Sequence, residues 1–510
     1  MFRTRACALL ALLAVPMFAF GSTVYFANNS FQTCSGCSDS TFNHADLNND
    51  GYEDLVYIQT PAAGGYPTFD VQFSNGTSGA GYGPATSYNI PNYNGSTDSI
   101  GALALGDFRH SGSIDIVAFG IDSGNAYVYS NNGKGVFTLT NTFAYVPAGT
   151  DVGSISAVAA DFNHDGNYDL AVVENGQLHT WLGNGKGGFA SGPSQQVNGT
   201  RIALGDFDGD GNADLLVYED PAAISTAYVY YGDGTGNFPD SIALSLPEGD
   251  AAFSAGDVNS DGISDVMAVD PAAAASRVFV FYGDRSRKFA SRTNMLIGRC
   301  VADAPAEVAD LDGNLINDLI VEEVDCSNPS SAPLYVDALT RNPDSSYNPD
   351  QTVYWSQPGP DGNIYGIDQP PTILRDTQES SPDLIVQQCS SAYCQTVYNT
   401  AMINDGDTGG EYPGCSAPWA AEGIVVCNPV NSETIDSPVS FQAAAAGPVP
   451  MRDMQVWVDG TMRGEEFYGF SYYTYLDRNV SLNPGRHVVT IVAAGWDGST
   501  EKKSFTIDVQ

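Results

Sequence analysis

The sequence predicts an all-β chain, a seven-bladed β-propeller followed by a small β-sandwich, and three observations carry that prediction. First, an acidic stretch recurs with starts at Asp46, Asp107, Asp161, Asp206, Asp257, Asp310 and, more loosely, Asp376, at intervals of 45 to 66 residues. Periods of that size belong to propeller blades and other stacked units. Second, short runs of β-branched and aromatic residues punctuated by Gly and Asn flank each stretch, as antiparallel strands joined by tight hairpins require. Third, helical periodicity is nearly absent. Four strands fit each interval, and seven such sheets close into a ring without free edges. Seven is the count the intervals favour; six or eight stays open.

Residues 1–21 read as an export signal: Arg3 and Arg5 precede the apolar run "ACALLALLAVPMFAFG", and Ala19 and Gly21 supply small residues before a cut. The run is short for a bilayer span and contains Pro16. No later stretch is long and apolar enough to cross a membrane, so a secreted or cell-surface protein without membrane insertion is expected. Of nine cysteines, Cys7 leaves with the signal. The remaining Cys34, Cys37, Cys300, Cys326, Cys389, Cys394, Cys415 and Cys427 are an even set, suited to disulfides in an oxidising compartment. Neighbours in sequence could pair, although spacing alone does not set connectivity. The "CSGC" at 34–37 could be a redox or zinc motif, but no apolar helical segment follows it and no second ligand pair matches it. A structural clip is the preferred reading.

The formal charge of −40, from 60 acidic and 20 basic residues, disfavours nucleic acid and anionic membrane surfaces as partners. Such acidity serves either solubility or cation binding, and the placement of the acids decides between them.

Across residues 22–405 each unit repeats one order. A small apolar strand such as "RIALG" leads into the acidic loop, an apolar strand such as "DLLVY" leaves it, and a third strand ends in a glycine turn, as in "TWLGNGKGGF", "VYYGDGTGNF" and "VFYGDRSRKF". The loop has the form D-x-[DN]-x-D-G-x-x-D, with oxygen donors at positions 1, 3, 5 and 9 and a glycine at position 6 that permits a sharp turn. A main-chain carbonyl from position 7 completes a set able to wrap one hard cation, and calcium tolerates its irregular geometry better than magnesium. An EF-hand reading fails, because position 12 is Tyr57, Val172 or Val217 instead of Glu. Two carboxylates about 4 Å apart repel by roughly 1 kcal/mol even in water. Millimolar calcium at sites with dissociation constants of about 0.1–1 mM would add roughly 0.4–1.4 kcal/mol each. Four to five sites would then rival a domain's whole stability of about 5–15 kcal/mol.

These loops and the "LGNGKGGF"-type hairpins resemble FG-GAP/VCBS repeats, as in the seven-bladed propeller of integrin α subunits and many secreted bacterial proteins. The resemblance spans residues 22–405 and implies calcium held through positions 1, 3, 5, 7 and 9. Carried over, the ligands are Asp46, Asn48, Asp50, the Tyr52 carbonyl and Asp54; then Asp161, Asn163, Asp165, the Asn167 carbonyl and Asp169. They continue with Asp206, Asp208, Asp210, the Asn212 carbonyl and Asp214; and Asp257, Asn259, Asp261, the Ile263 carbonyl and Asp265. The loop at 310 offers Asp310, Asp312, Asn314 and Asp318 but has Leu315 at the turn glycine, which leaves that site open. The loop at 107 has Arg109 and Ser111 where donors belong, and is expected to bind no metal, its arginine neutralising Asp107 and Asp115. The stretch at 376 is one residue short and reads as a degenerate seventh unit.

Residues 406–423, rich in Gly, Pro and acid, read as a linker, and 424–510 as a small β-sandwich of short strands that looks like bacterial immunoglobulin-like domains. Trp457 and Trp496 are its expected core anchors.

No G-x-S-x-G, H-E-x-x-H or P-loop occurs. The five histidines are dispersed, with His110 and His164 read as solvent-facing fillers of the acidic loops. A non-catalytic, monomeric binding or adhesion module for an extracellular glycan or protein is the favoured expectation. The alternative is a secreted polysaccharide lyase or glycoside hydrolase on a propeller scaffold. Tyr66, Tyr82, Tyr88 and Tyr93 in one insertion, and Tyr347, Tyr354, Trp355 and Tyr365 in another, are candidate contact residues for a sugar.

Overall fold

The computed structural model describes residues 26–31, 43–59, 67–74, 82–93, 95–147, 152, 154–219, 226–246, 252–270, 277–296, 300–301, 305–311, 316–324, 335–341, 347, 351–355, 367–374, 383–389, 397–404, 423–431, 433–435, 437–495 and 500–510. Every regular element among them is a β-strand. The expected export signal, the "CSGC" clip, residues 376–382 of the last acidic stretch and residues 406–422 of the linker lie outside the described residues. Cys300 is disulfide-bonded.

Seven antiparallel sheets of four or more strands precede residue 405 among the described residues, besides a two-stranded ribbon of Asn92–Tyr93 and Ser96–Thr97. The second is typical: Ile100–Gly106, Asp115–Gly120, Asn125–Asn131 and Phe137–Ala144 pair in chain order. The first, third, fourth and fifth repeat that plan, and the sixth carries a divided first strand, Cys300–Val301 and Glu307–Ala309. The seventh is composite. Ile367–Leu374, Asp383–Cys389 and Val397–Asn404 receive as outermost strand Phe26–Phe31, in register from Phe26 opposite Asn404 to Phe31 opposite Asn399. The beginning of the repeat region therefore completes its last sheet and covers an edge that would otherwise be free.

The cores lie between sheets. In Asp115–Gly120 every residue is buried, because Val117 and Phe119 face the third sheet while Ile116 and Ala118 face the first. Alternate side chains point to opposite faces of a strand, so a strand sandwiched on both faces must be apolar throughout. That is why the second strands read as continuous runs such as "DLAVV" and the outer ones do not. Phe69 stacks on Tyr88 with ring centroids 5.1 Å apart, and the Phe137 ring meets Tyr88 edge-on at 5.5 Å. Tyr88 and the buried Tyr82 thus serve packing, which removes them from the candidate sugar contacts. Tyr66 and Tyr365 lie outside the described residues.

Beyond residue 423 a six-stranded sheet surrounds one apolar core containing Phe441, Met454, Val456, Ile491 and Ile507. The stretches "SPVSFQAAAA" and "MQVWVDG", read as separate short strands, are one strand of 20 residues, Val439–Val458, paired with the equally long Thr461–Val480. Its inward residues change from odd (Val439, Phe441, Ala443) to even (Met454, Val456, Val458), and a register shift between Ala446 and Met451 absorbs the change. Trp457 falls on the opposite face, half-buried, with its indole N–H donating to Gln455 Oε1 at 2.8 Å, and is no core anchor. Trp496 lies outside the described residues.

Deleting Phe26–Phe31 should expose the outer edge of the seventh sheet. A lower thermal midpoint by calorimetry and concentration-dependent self-association by light scattering are expected; a variant as stable and monodisperse as the full chain would refute this role.

Candidate metal centres in the acidic loops

Each acidic loop joins the first and second strands of its sheet. In the described units the aspartate at position 9 opens the second strand, fully buried, and in five of them it spends both oxygens on backbone donors. Asp54 accepts from Leu47 N–H at 3.0 Å and Ser74 N–H at 2.9 Å. Asp169 accepts from Phe162 (3.1 Å) and Gly183 (2.7 Å), and Asp214 from Phe207 (2.9 Å) and Gly232 (2.7 Å). Asp265 accepts from Val258 and Gly283, both at 2.9 Å, and Asp318 from Leu311 and Arg341, both at 2.8 Å. One carboxylate thereby ties the start of the loop to the end of the third strand, at its last residue or within two residues beyond it. Reading the sequence as ligand spacing missed this clamp. The signal was there: Asp115 persists although Arg109 and Ser111 replace the donors at positions 3 and 5, and Asp318 persists although Leu315 replaces the turn glycine.

The aspartate at position 1 folds the loop over itself. Asp46 accepts from Asp50 N–H at 3.1 Å and Gly51 N–H at 2.8 Å, and Asp161, Asp206 and Asp257 repeat the pair with Asp165 and Gly166, Asp210 and Gly211, and Asp261 and Gly262. The turn needs positive φ at position 6, where Gly51 and Gly166 stand at 91° and 83°. At position 5, Asp50, Asp165, Asp210 and Asp261 each accept the N–H of position 7, from Tyr52, Asn167, Asn212 and Ile263. At position 3, Asn163, Asp208 and Asn259 accept the position-5 N–H at 2.8–3.0 Å. Asn48 differs: its buried Oδ1 has no hydrogen-bond partner.

Burial dominates the electrostatics. Desolvation raises Asp54 to about 8, Asp169 to about 7 and Asp214 to about 9, with neighbouring carboxylates adding to the rise and backbone donors opposing it. Asp206 and Asp257 are pushed to about 7 for the same reasons, and Asp265 well upward. Carboxylate oxygens of Asp206, Asp208 and Asp210 lie within 4.8 Å of one another. Carboxylate oxygens gathered this closely in the fourth loop, and a buried Asn48 Oδ1 without a donor in the first, fit a hard divalent cation. Asp310 and Asp318 are described, whereas Asp312 and Asn314 lie outside the described residues.

The loop at 107 carries its own cation. Arg109 donates to Asp115 through Nε at 3.0 Å and Nη2 at 2.9 Å, and to the Asn131 carbonyl at 2.7 Å. Asp107 instead receives the N–H groups of Ser111 (2.9 Å) and Gly112 (2.7 Å), so the guanidinium pairs directly with only one of its two expected partners. The histidines are not idle fillers. His110 Nε2 lies 2.7 Å from Asn167 Oδ1, and His164 Nε2 lies 2.7 Å from Asn212 Oδ1. In each case position 4 of one loop grips position 7 of the next. Asn317 N–H similarly donates to Ser260 Oγ at 2.9 Å. The loops form a coupled series.

A family model described as an FG-GAP-like repeat matches residues 107–172 and 161–217. No curated protein sequence gives a significant match. Among solved structures, an Agrocybe aegerita lectin with specific recognition of non-reducing terminal N-acetylglucosamine is 19% identical, over 62% of this chain and 80% of that one, with a TM-score of 0.44. The NanB sialidase of Streptococcus pneumoniae is 11% identical over 74% of this chain and 70% of its own, with a TM-score of 0.38. An exo-β-1,3-galactanase of Phanerochaete chrysosporium is 8% identical over 94% and 99%, with a TM-score of 0.34.

Two outcomes are expected. Raised carboxylates mean that the cation-free folded chain holds protons which the unfolded chain releases near pH 4. Stability is therefore present at low pH and lost as pH rises through about 7 to 9. Urea titrations of chelator-treated protein should show a falling midpoint from pH 5 to 8, and a flat profile would contradict it. Arg109→Ala leaves the Asp115 carboxylate buried and unpaired. With the guanidinium 28% exposed, the loss should be about 2–3 kcal/mol by urea denaturation, below the range for fully buried pairs.

Proposed function

We propose that the chain, which carries FG-GAP-like repeats on an all-β propeller-like array, is a secreted, calcium-stabilised, non-catalytic binding or adhesion module for an extracellular glycan or protein. Calcium would be held by Asp46, Asn48 and Asp50, by Asp161, Asn163 and Asp165, by Asp206, Asp208 and Asp210, and by Asp257, Asn259 and Asp261. Lone pairs left on Asp54, Asp169, Asp214 and Asp265 would complete each set. The bound ion supplies positive charge that lets buried carboxylates ionise without mutual repulsion.

The observation that carries this reading is the recurrence of one loop geometry at four places, each closed by the same backbone bonds to its first aspartate. Repetition of that kind points to a shared structural ligand, since a reaction centre needs only one such place. The net charge of −40 also favours neutral or basic partners over polyanions.

Full chelation should lower the thermal midpoint by roughly 3–10 °C, the span that about 2–7 kcal/mol of calcium linkage gives a domain of this size. Restoring millimolar calcium, but not magnesium, should reverse it. An unchanged midpoint in calorimetry would end the calcium reading. Retention on a glycan array without turnover supports the binding module, whereas release of unsaturated or reducing ends from polysaccharide supports an enzyme.

A further inference from the structure

The hairpin between the third and fourth strands of one sheet lies on the acidic loop of the sheet before it. Gly187 N–H donates to the Phe108 carbonyl at 2.8 Å, and Gly236 N–H to the Phe162 carbonyl at 2.8 Å. Both glycines have positive φ, 75° and 82°. In the hairpin of the fifth sheet, "GDRSRKF", the corresponding residue is Arg287, and it keeps the left-handed backbone at 58° despite its Cβ. A strained conformation held by a residue that avoids it calls for a compensating contact.

That contact is with the fourth loop. Arg287 Nε donates to Asp208 Oδ2, and Nη2 donates to Asp210 Oδ2 at 3.0 Å. Nη1 lies 3.5 Å from Asp240, and the guanidinium carbon sits 4.7 Å from the centroid of the Tyr231 ring. Asp208 is 3% exposed and Arg287 34%, so the arginine reaches from the surface into the carboxylate cluster. The second unit offers a comparison. There Arg109 stands at position 3 of the loop itself and pairs with Asp115, beneath a glycine hairpin. Where position 3 is an aspartate, Asp208, the guanidinium arrives from the neighbouring sheet.

We propose that Arg287 is a built-in competitor for calcium at the fourth loop. Its guanidinium takes the carboxylate oxygens of Asp208 and Asp210 that the ion would use, making this loop a weaker, exchangeable site beside those at 46, 161 and 257. The inference rests on the calcium reading of the loops. Two cations cannot use the same lone pairs, and like charges that close repel, so calcium must displace the side chain. Entry of the ion would free Arg287 from Asp208 and Asp210, coupling calcium concentration to the hairpin surface of the fifth sheet.

The test is calorimetric titration of calcium into the chelator-stripped full-length chain and its Arg287→Gly and Arg287→Gln variants. The first restores the glycine of the other hairpins and relieves the left-handed strain; the second keeps the side-chain length without charge. One site should tighten by at least about tenfold in both variants while the remaining constants stay fixed. Stripped Arg287→Gly should also melt below stripped wild type and gain more on calcium addition. Wild type that binds calcium with isotherms identical to both variants overturns the competitor role and leaves the calcium reading intact. Absence of calcium binding by all three proteins overturns both.

Discussion

The buried aspartate that opens the second strand of each unit is the constraint on which the repeat depends. In five of the described units its two oxygens accept the first N–H of the loop and an N–H at the end of the third strand. In the second unit Asp115 accepts the Asn131 N–H and the Arg109 guanidinium. An unpaired buried donor costs about 1–3 kcal/mol, so one carboxylate secures two turns in each of those five units. Asp54, Asp115, Asp169, Asp214, Asp265 and Asp318 all take this position without exposure to solvent. They fix the distance between strands, and the cores between sheets then follow from alternation along strands buried on both faces.

A carboxylate placed for its hydrogen bonds brings a charge that its surroundings do not tolerate. Backbone donors offset part of the desolvation, yet Asp54 and Asp214 still rise to about 8 and 9. Counter-charge must come from somewhere, and the units differ in its source. The second unit uses Arg109 within its own loop, and the fourth borrows Arg287 from the next sheet. The first, third and fifth loops present only oxygen donors at positions 1, 3 and 5. A proton can neutralise them at low pH, and the proposed divalent ion would do so at neutral pH. The same backbone geometry therefore accommodates three chemical answers to one electrostatic demand.

The loops also hold one another. His110 on Asn167, His164 on Asn212 and Asn317 on Ser260 connect successive units along one face, at the positions flanking the proposed ion sites. Aromatic contacts run parallel to these links: Phe108 meets Phe189 at 5.2 Å and Phe162 meets Phe238 at 5.7 Å, each pairing a loop with the next hairpin. Rigidity in one loop is thus shared with its neighbour through packing and hydrogen bonds together.

The all-β class, the repeat, the four-stranded sheets and the turn glycines were legible in the sequence because they follow from local chemistry: alternation, β-branched runs and the φ that only glycine adopts freely. The pairing of Arg109 with Asp115 was legible for the same reason, since the two lie six residues apart in one loop. What tertiary structure decided involves partners far apart in the chain. Phe26–Phe31 completes a sheet that ends at Asn404, Arg287 reaches Asp208, the loop histidines find the next unit, and Tyr88 packs where a sugar contact was expected. Spacing along a chain states which side chains a loop can offer. Only the packing of sheets decides which of them face a neighbour, because that depends on surfaces brought together from different repeats.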